Sequence, residues 1–253
     1  MGVLSELVAA FILLTRLPLG RFTADRPTVA IARSVWAFPL AGAAAGALGG
    51  AAYAGATLAG VPPGVGAVAA LAVMVLFTGA LHEDGLADSA DGFGGGRTPE
   101  HKLEIMRDSR IGSFGAIALI LSLAARWAAI AAIGRPLHVL SALVVAASLG
   151  RAGMVVLPLA LGPARSDGLA FGLQGPDRVR TLAGFAIAIL LAAMLLPPRT
   201  ALRAIAGALV ASLAVAWLAR SQIGGYTGDV LGAASVVTEC VAIGLIAAVP
   251  LGN

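Results

Sequence analysis

Charge is the scarcest property of this chain: 12% of its 253 residues are Asp, Glu, Lys or Arg, where a soluble domain carries about 25%. Burial in an ordinary core does not account for such a deficit, whereas a surface facing lipid does. Cysteine is nearly absent. The single residue, Cys240, lies in an apolar stretch and excludes both an internal disulfide and any multi-cysteine zinc site. Aromatics make up 5% and no basic run occurs, so the net charge of +4 does not describe a nucleic-acid binder. Met1 to Leu14 has neither a basic start nor a small-residue cleavage site, so no cleaved signal peptide is expected. No repeat of solenoid period is visible, and one domain is expected over 1–253.

What the chain has instead is apolar length. Apolar residues make up 59% and the mean hydropathy is +0.94. The 33 glycines, with abundant alanine, suit helices that approach closely inside a membrane. Stretches long enough to span, roughly 17 to 25 residues, occur near 35–60, 64–82, 113–133, 137–161, 179–197, 200–219 and 231–252. Val3–Leu14 is apolar but short and reads as an interfacial or re-entrant helix. The expected fold is therefore all-α: a polytopic integral membrane helical bundle of about seven transmembrane helices plus this N-terminal element.

The connections are of two kinds. Short turns lie at Val61–Gly64, Gly134–Pro136 and Pro197–Arg199, and longer polar segments at 15–34, 82–112, 162–180 and 220–230. If every span crosses once, the four longer segments share a side. Twelve of the 17 Lys and Arg residues fall there: Arg16, Arg21, Arg26, Arg33, Arg97, Lys102, Arg107, Arg110, Arg165, Arg178, Arg180 and Arg220. Arg135, Arg199 and Arg203 fall on the other side, and Arg126 and Arg151 inside spans. The positive-inside rule then places the polar face in the cytoplasm.

The segment His82–Gly96 follows directly on an apolar span. Asp84, Asp88 and Asp91 are spaced i, i+4, i+7 and would share one helix face. Like charges stacked at a membrane boundary need a cation. Carboxylate oxygens suit Mg²⁺, which completes its shell with water and substrate phosphates. His82 is placed to act as a base or an outer donor, and the glycines after Asp91, Gly94 and Gly95 among them, to let the backbone turn and approach a phosphate. The plainer reading is a solvated acidic loop at a helix end.

Three further polar segments add candidates. In Pro99–Gly112, Arg107 and Arg110 would grip phosphate oxygens through their planar forks, with Asp108 adding to the metal site; a surface amphipathic helix is the alternative. Arg165 and Asp167 lie in the third segment. The fourth runs from Arg220 through Gly224, Gly225, Thr227 and Gly228 to Asp229 and has the makings of an anion-binding nest; ordinary loop turns are the alternative for both. Arg126, Arg151 and Glu239 fall inside spans, where charge marks either function or a structural ion pair.

At this point the residues resemble a known family. His82-Glu-Asp-Gly-Leu-Ala-Asp-Ser-Ala-Asp-Gly92 and Leu103-Glu-Ile-Met-Arg-Asp-Ser-Arg-Ile-Gly112 are similar to the signature of the cobalamin (5′-phosphate) synthases, or adenosylcobinamide-GDP ribazoletransferases. Thr15–Pro18, Phe38–Gly42, Arg165–Leu169 and Gly224–Asp229 match as well. Glu83 stands where the family pattern often has an apolar residue.

The resemblance implies a late step of vitamin B12 assembly that needs Mg²⁺. A hydroxyl of α-ribazole, or of its 5′-phosphate, attacks the phosphorus next to cobinamide in adenosylcobinamide-GDP, and GMP leaves. Phosphoryl transfer of this kind asks for charge neutralisation and alignment. The metal set expected is Asp84, Asp88, Asp91 and Asp108. Asp91 is the first choice of base, with His82 and Asp88 as the other proton-handling groups. Arg107, Arg110, Gly94, Gly95, Arg165, Asp167, Arg220, Gly225, Thr227 and Asp229 are the substrate-binding candidates. Corrinoid nucleotide, nucleoside and membrane lipid are the expected partners, with no nucleic acid; a homo-oligomer is left open.

Rival readings fit less well. CDP-alcohol phosphotransferases need an Ala-Arg and later Asp residues missing at that spacing, and Asp-rich prenyltransferases need a second Asp-rich motif. A cation transporter would place its carboxylates near the bilayer midplane in broken helices, and a scaffold has no use for the Asp face.

Overall fold

Apolar runs in lipid must satisfy their backbone hydrogen bonds internally, which leaves the helix as the natural form for each. The computed structural model, which describes residues 2–19 and 31–249, is helical throughout its regular parts. In order, α1 is Val3–Leu14, α2 Ile31–Ser34, α3 Phe38–Leu58, α4 Pro63–Thr78, α5 Leu81–Gly95 and α6 Pro99–Ile105. Then follow α7 Ser113–Ile133, α8 Pro136–Met154, α9 Val156–Ala160, α10 Arg178–Leu195, α11 Pro198–Ile223 and α12 Gly228–Ala247. One 3₁₀ turn, Val35–Ala37, joins α2 to α3 and another covers Leu169–Leu173. Proline opens α4, α8 and α11, where its missing N–H has no helical partner to lose.

Six helical stretches among the described residues are long and apolar enough to cross a membrane, and α4 with α5 makes a seventh if counted together. That pair is bent by 89°. The break is local and sharp: Gly79 has φ +66° and Ala80 φ +58°. A left-handed alanine is uncommon, and the positive φ of Gly79 favours glycine, which lies against the Arg16 side chain. The Arg16 amide donates to Phe77 O at 2.8 Å, so the strand leaving α1 seats against the break.

Two expectations change. The polar segment 82–112 is mostly two helices, because its carboxylates and small residues continue a helix once the chain has turned at Gly79. Of the glycines after Asp91, Gly92, Gly94 and Gly95 sit inside α5 and make no turn. Gly92 packs on Met106 and Gly94 on Phe114, while Gly96 ends the helix in an extended conformation close against Lys102. The 162–180 and 220–230 segments keep shorter loops, since α11 runs to Ile223 and α12 starts at Gly228. Residues 20–30 of the first polar segment, with Arg21 and Arg26, lie outside the described residues, as does the end of the 231–252 span.

The centre of the bundle is α8, 78% of whose apolar window is buried against 17% for α7 on the periphery. Its closest neighbour is α3. Gly42, Gly46 and Gly50 form a stripe at i, i+4, i+8, and a Cβ on Gly42 or Gly46 would stand 2.3 Å from a carbonyl oxygen of α8. Small residues thus let two backbones touch, the packing device expected inside lipid.

The charges inside the spans find one another. Arg126 of α7 donates to Glu83 of α5 at 3.0 Å and to Glu239 of α12 at 3.1 Å. Arg151 of α8 pairs with the other oxygen of Glu239. Two arginines and two glutamates, all buried, make a neutral network across four helices. At the N-terminus, buried Glu6 accepts from Trp36 Nε1 at 3.0 Å and from Arg180 Nη2 at 2.8 Å, which fastens α1 to the start of α10.

Candidate active site

The carboxylates of α5 do not all face one way. Glu83 turns inward to Arg126, while Asp84 is exposed and Asp88 half-buried. Asp91 is buried and serves another helix. Its oxygens accept from the Gly112 amide at 2.7 Å and the Gly115 amide at 2.9 Å. Those two N–H groups belong to the first turn of α7, which has no partner of its own for them and carries partial positive charge. A Cβ at Gly112 or Gly115 would stand 2.4 or 2.3 Å from the same carboxylate, which explains both glycines.

Opposite Asp84 and Asp88 stands the α11–α12 turn. Gly224, φ +72°, ends α11, and Tyr226 is clipped to the third polar segment by two backbone bonds. Its amide donates to Gly162 O at 3.1 Å, and the Ala164 amide donates to Tyr226 O at 2.8 Å. Gly225 lies so close beneath that a Cβ would stand 2.5 Å from Gly162 O. Its role in the structure is close approach between loops. Thr227 caps α12 by accepting from the Val230 amide and donates to Asp229 Oδ2 at 3.2 Å. Gly85 allows α5 to meet α12, since a Cβ there would lie 2.6 Å from Asp229 O.

Ion pairs complete the convergence of three segments. Arg165 Nη2 donates to Asp229 Oδ2 at 3.1 Å and its Nε lies 3.8 Å from Asp167. Arg107 reaches Asp167 at 2.6 Å. Asp88 feels the negative charges of Asp84, Asp229 and Asp91 and the opposing charge of Arg165. One end of the bundle therefore gathers several carboxylates around one arginine.

Between these groups lies a cavity of about 250 Å³. Its polar side is formed by His82, Asp84, Arg165, Asp167, Thr227 and Asp229, with Tyr226 beside them. Three of these residues carry buried polar atoms with no hydrogen-bond partner in the protein: His82 at both ring nitrogens, Arg165 at Nη1 and Tyr226 at its hydroxyl. Each such atom costs about 1–3 kcal/mol when left unsatisfied. Their clustering on one cavity marks the place where a polar ligand belongs.

The predicted residues thus divide. His82, Asp84, Arg165, Asp167, Thr227 and Asp229 line the cavity, and Asp88 adjoins it through charge. Arg107 is connected through Asp167. Asp91 is withdrawn to the α7 N-terminus. Asp108 is held by Arg110, whose side chain and then backbone amide hold its carboxyl down to about 2. Its two oxygens are committed to Arg110. Gly94 and Gly95 pack beside Phe114 and Ile105, and Arg220 lies exposed on the last turn of α11. Among the described residues, no group of three or more His, Cys, Asp or Glu side chains is arranged to hold a metal ion. The predicted set of Asp84, Asp88, Asp91 and Asp108 is therefore not assembled. Asp84 and Asp88, one turn apart and facing Asp229, fit a cation that takes two carboxylates and fills its shell with water and phosphate oxygens. Tyr226 and the apolar lining were missed by sequence reasoning. Tyr226 stood inside a motif already noted, and its burial was the one property the motif did not show.

A bundle of helices long and apolar enough to cross a membrane, with a charged cleft and unpartnered polar atoms at one end, is a polytopic membrane protein with a site for a polar ligand. The family described as cobalamin-5-phosphate synthase matches residues 6–247. An adenosylcobinamide-GDP ribazoletransferase of Bradyrhizobium diazoefficiens is 44% identical, covering 100% of this chain and 96% of its own. Relatives of the same name from Mesorhizobium japonicum and Azorhizobium caulinodans are 40% and 42% identical. They cover 99% and 94% of this chain and 95% and 93% of their own. No solved structure matches the chain. The chain belongs to the cobalamin-5-phosphate synthase family and is a transferase of cobalamin biosynthesis.

Proposed function

We propose that the cleft joins α-ribazole, free or as its 5′-phosphate, to adenosylcobinamide-GDP, releasing GMP. The observation that carries this reading is the set of unpartnered buried atoms on His82, Arg165 and Tyr226 around a single cavity. The names of the relatives supply the substrates.

In this reading the nucleoside hydroxyl forms a bond to the phosphorus next to cobinamide, and the bond from that phosphorus to the GMP oxygen breaks. Arg165, anchored by Asp229, presents its unpartnered Nη1 to a phosphate oxygen and holds the diphosphate in line. Asp84 and Asp88 are the residues that would hold Mg²⁺, while Asp229 across the cleft is committed to Arg165 and Thr227. Bound there, the ion would offset charge on the diphosphate and the departing GMP. His82 takes the proton of the attacking hydroxyl on a ring nitrogen. It replaces Asp91 in that role, because both Asp91 oxygens already accept backbone N–H groups.

The distribution of Lys and Arg supports an inner-membrane protein with this end of the bundle in the cytoplasm, where a nucleotide-activated substrate is made. The test is release of GMP by purified protein. With Mg²⁺, adenosylcobinamide-GDP and α-ribazole together, GMP appears, and it disappears when the nucleoside is left out or EDTA is added. GMP release that ignores the nucleoside, or none where a known relative turns over, contradicts the proposal.

A further inference from the structure

We infer that the cavity is the seat of the nucleoside acceptor, that the buried apolar part of its lining receives the base, and that Tyr226 binds that acceptor through its hydroxyl. The inference rests on the proposed reaction, which requires two very unequal substrates, and assigns one of them to this cavity. At about 250 Å³ the cavity lies near the lower end of the roughly 300–1,000 Å³ that small-molecule pockets occupy. A nucleoside fits such a volume. A corrinoid macrocycle with its amide side chains is several times larger and stays outside, presenting only its diphosphate to Arg165 at the cavity edge.

The lining divides as a nucleoside does. One lobe of the lining is apolar and buried, since Leu14, Ile31, Met154 and Leu173 are each at most 6% exposed, while Leu81 and Phe171 of the same lining are exposed. A flat, weakly polar base gains by leaving water there. Besides Arg165 Nη1, two further groups on the lining lack partners, the His82 ring and the Tyr226 hydroxyl. A sugar offers hydroxyls that both donate and accept, which satisfies each of them. The Tyr226 ring is completely buried and its backbone is clipped at both N–H and C=O to the 162–164 loop. The hydroxyl is therefore held in place before the ligand arrives, which favours selective recognition.

The test is a pair of Michaelis constants in Tyr226→Phe, which keeps the ring and removes only the hydroxyl. The KM for α-ribazole is expected to rise about fivefold to tenfold, the effect of losing one hydrogen bond to a ligand. The KM for adenosylcobinamide-GDP stays within twofold of wild type. Met154→Trp, which fills the lobe, is expected to raise the same constant further and to narrow the range of bases accepted. A rise in the corrinoid constant, or no change in either with Tyr226→Phe, overturns the inference while leaving the proposed reaction intact. Equilibrium binding of α-ribazole alone supplies a readout independent of turnover. Wild type binds without corrinoid and Tyr226→Phe binds several-fold more weakly; absence of binding to wild type also overturns it. Loss of GMP release by wild type itself counts against the reaction, and the binding comparison still decides the seat.

Discussion

Asp84→Asn and Asp88→Asn are each expected to lower turnover by on the order of a thousandfold or more with the fold intact, the scale on which phosphoryl transfer responds to loss of a charge-handling group. Asparagine keeps the shape and one oxygen but removes the negative charge that a metal on a diphosphate requires. Neither carboxylate supports the bundle, since Asp84 is exposed and Asp88 half-buried beside other acids. The thermal midpoint is therefore expected to hold or rise slightly as repulsion is relieved. Asp91→Asn is the contrast. It weakens two bonds to the first turn of α7, so its damage is expected in stability as well as rate. Parallel rate assays and melting curves on the three variants separate the cases. Near-normal rates in both Asp84→Asn and Asp88→Asn remove the proposed metal pair.

The second large effect concerns stability. Arg126→Met leaves Glu83 and Glu239 buried, with Arg151 still paired to Glu239 while Glu83 loses its arginine. Removing one partner of a buried pair costs about 3–5 kcal/mol, a large share of the margin of a typical domain. Adding Glu83→Leu to Arg126→Met restores neutrality and leaves the Arg151–Glu239 pair whole, so the double variant is expected to recover most of the loss. Denaturation in detergent micelles reads the comparison. A double variant no better than the single one shows that packing by the Arg126 side chain, and not charge balance, is what the site supplies. Glu83 is the member of the network beside Asp84, so the same ion pairs that neutralise charge in lipid also fix the start of α5.

The bundle was legible because its signal is strong: long apolar runs and few charges leave helices as the remaining form for a chain in lipid. The break between α4 and α5 was not, because it depends on left-handed Gly79 and Ala80 and on a contact with Arg16, distant in sequence. The site was readable by residue type but not by direction. The spacing of Asp84, Asp88 and Asp91 correctly puts them near one helix face, yet the nearby start of α7 claims Asp91, and nothing within α5 announces that. Asp108 was similarly claimed by a neighbour two residues away. Arg126, Arg151 and Glu239 had two readings in sequence, and the ion pairs among them decide for structure. Tyr226 carries no charge and sits among glycines, so only its burial without a partner for the hydroxyl reveals it.

The central claim is that the acceptor attacks the phosphorus next to cobinamide and expels GMP. It is tested most directly by labelling that phosphorus in adenosylcobinamide-GDP and following the label through a single round of reaction. Attack there predicts that all the label stays with the corrinoid product, in the new phosphodiester to the nucleoside, and that the GMP released carries none. Label recovered in a cobinamide phosphate, with the guanosine-side phosphate transferred to the nucleoside, would contradict it.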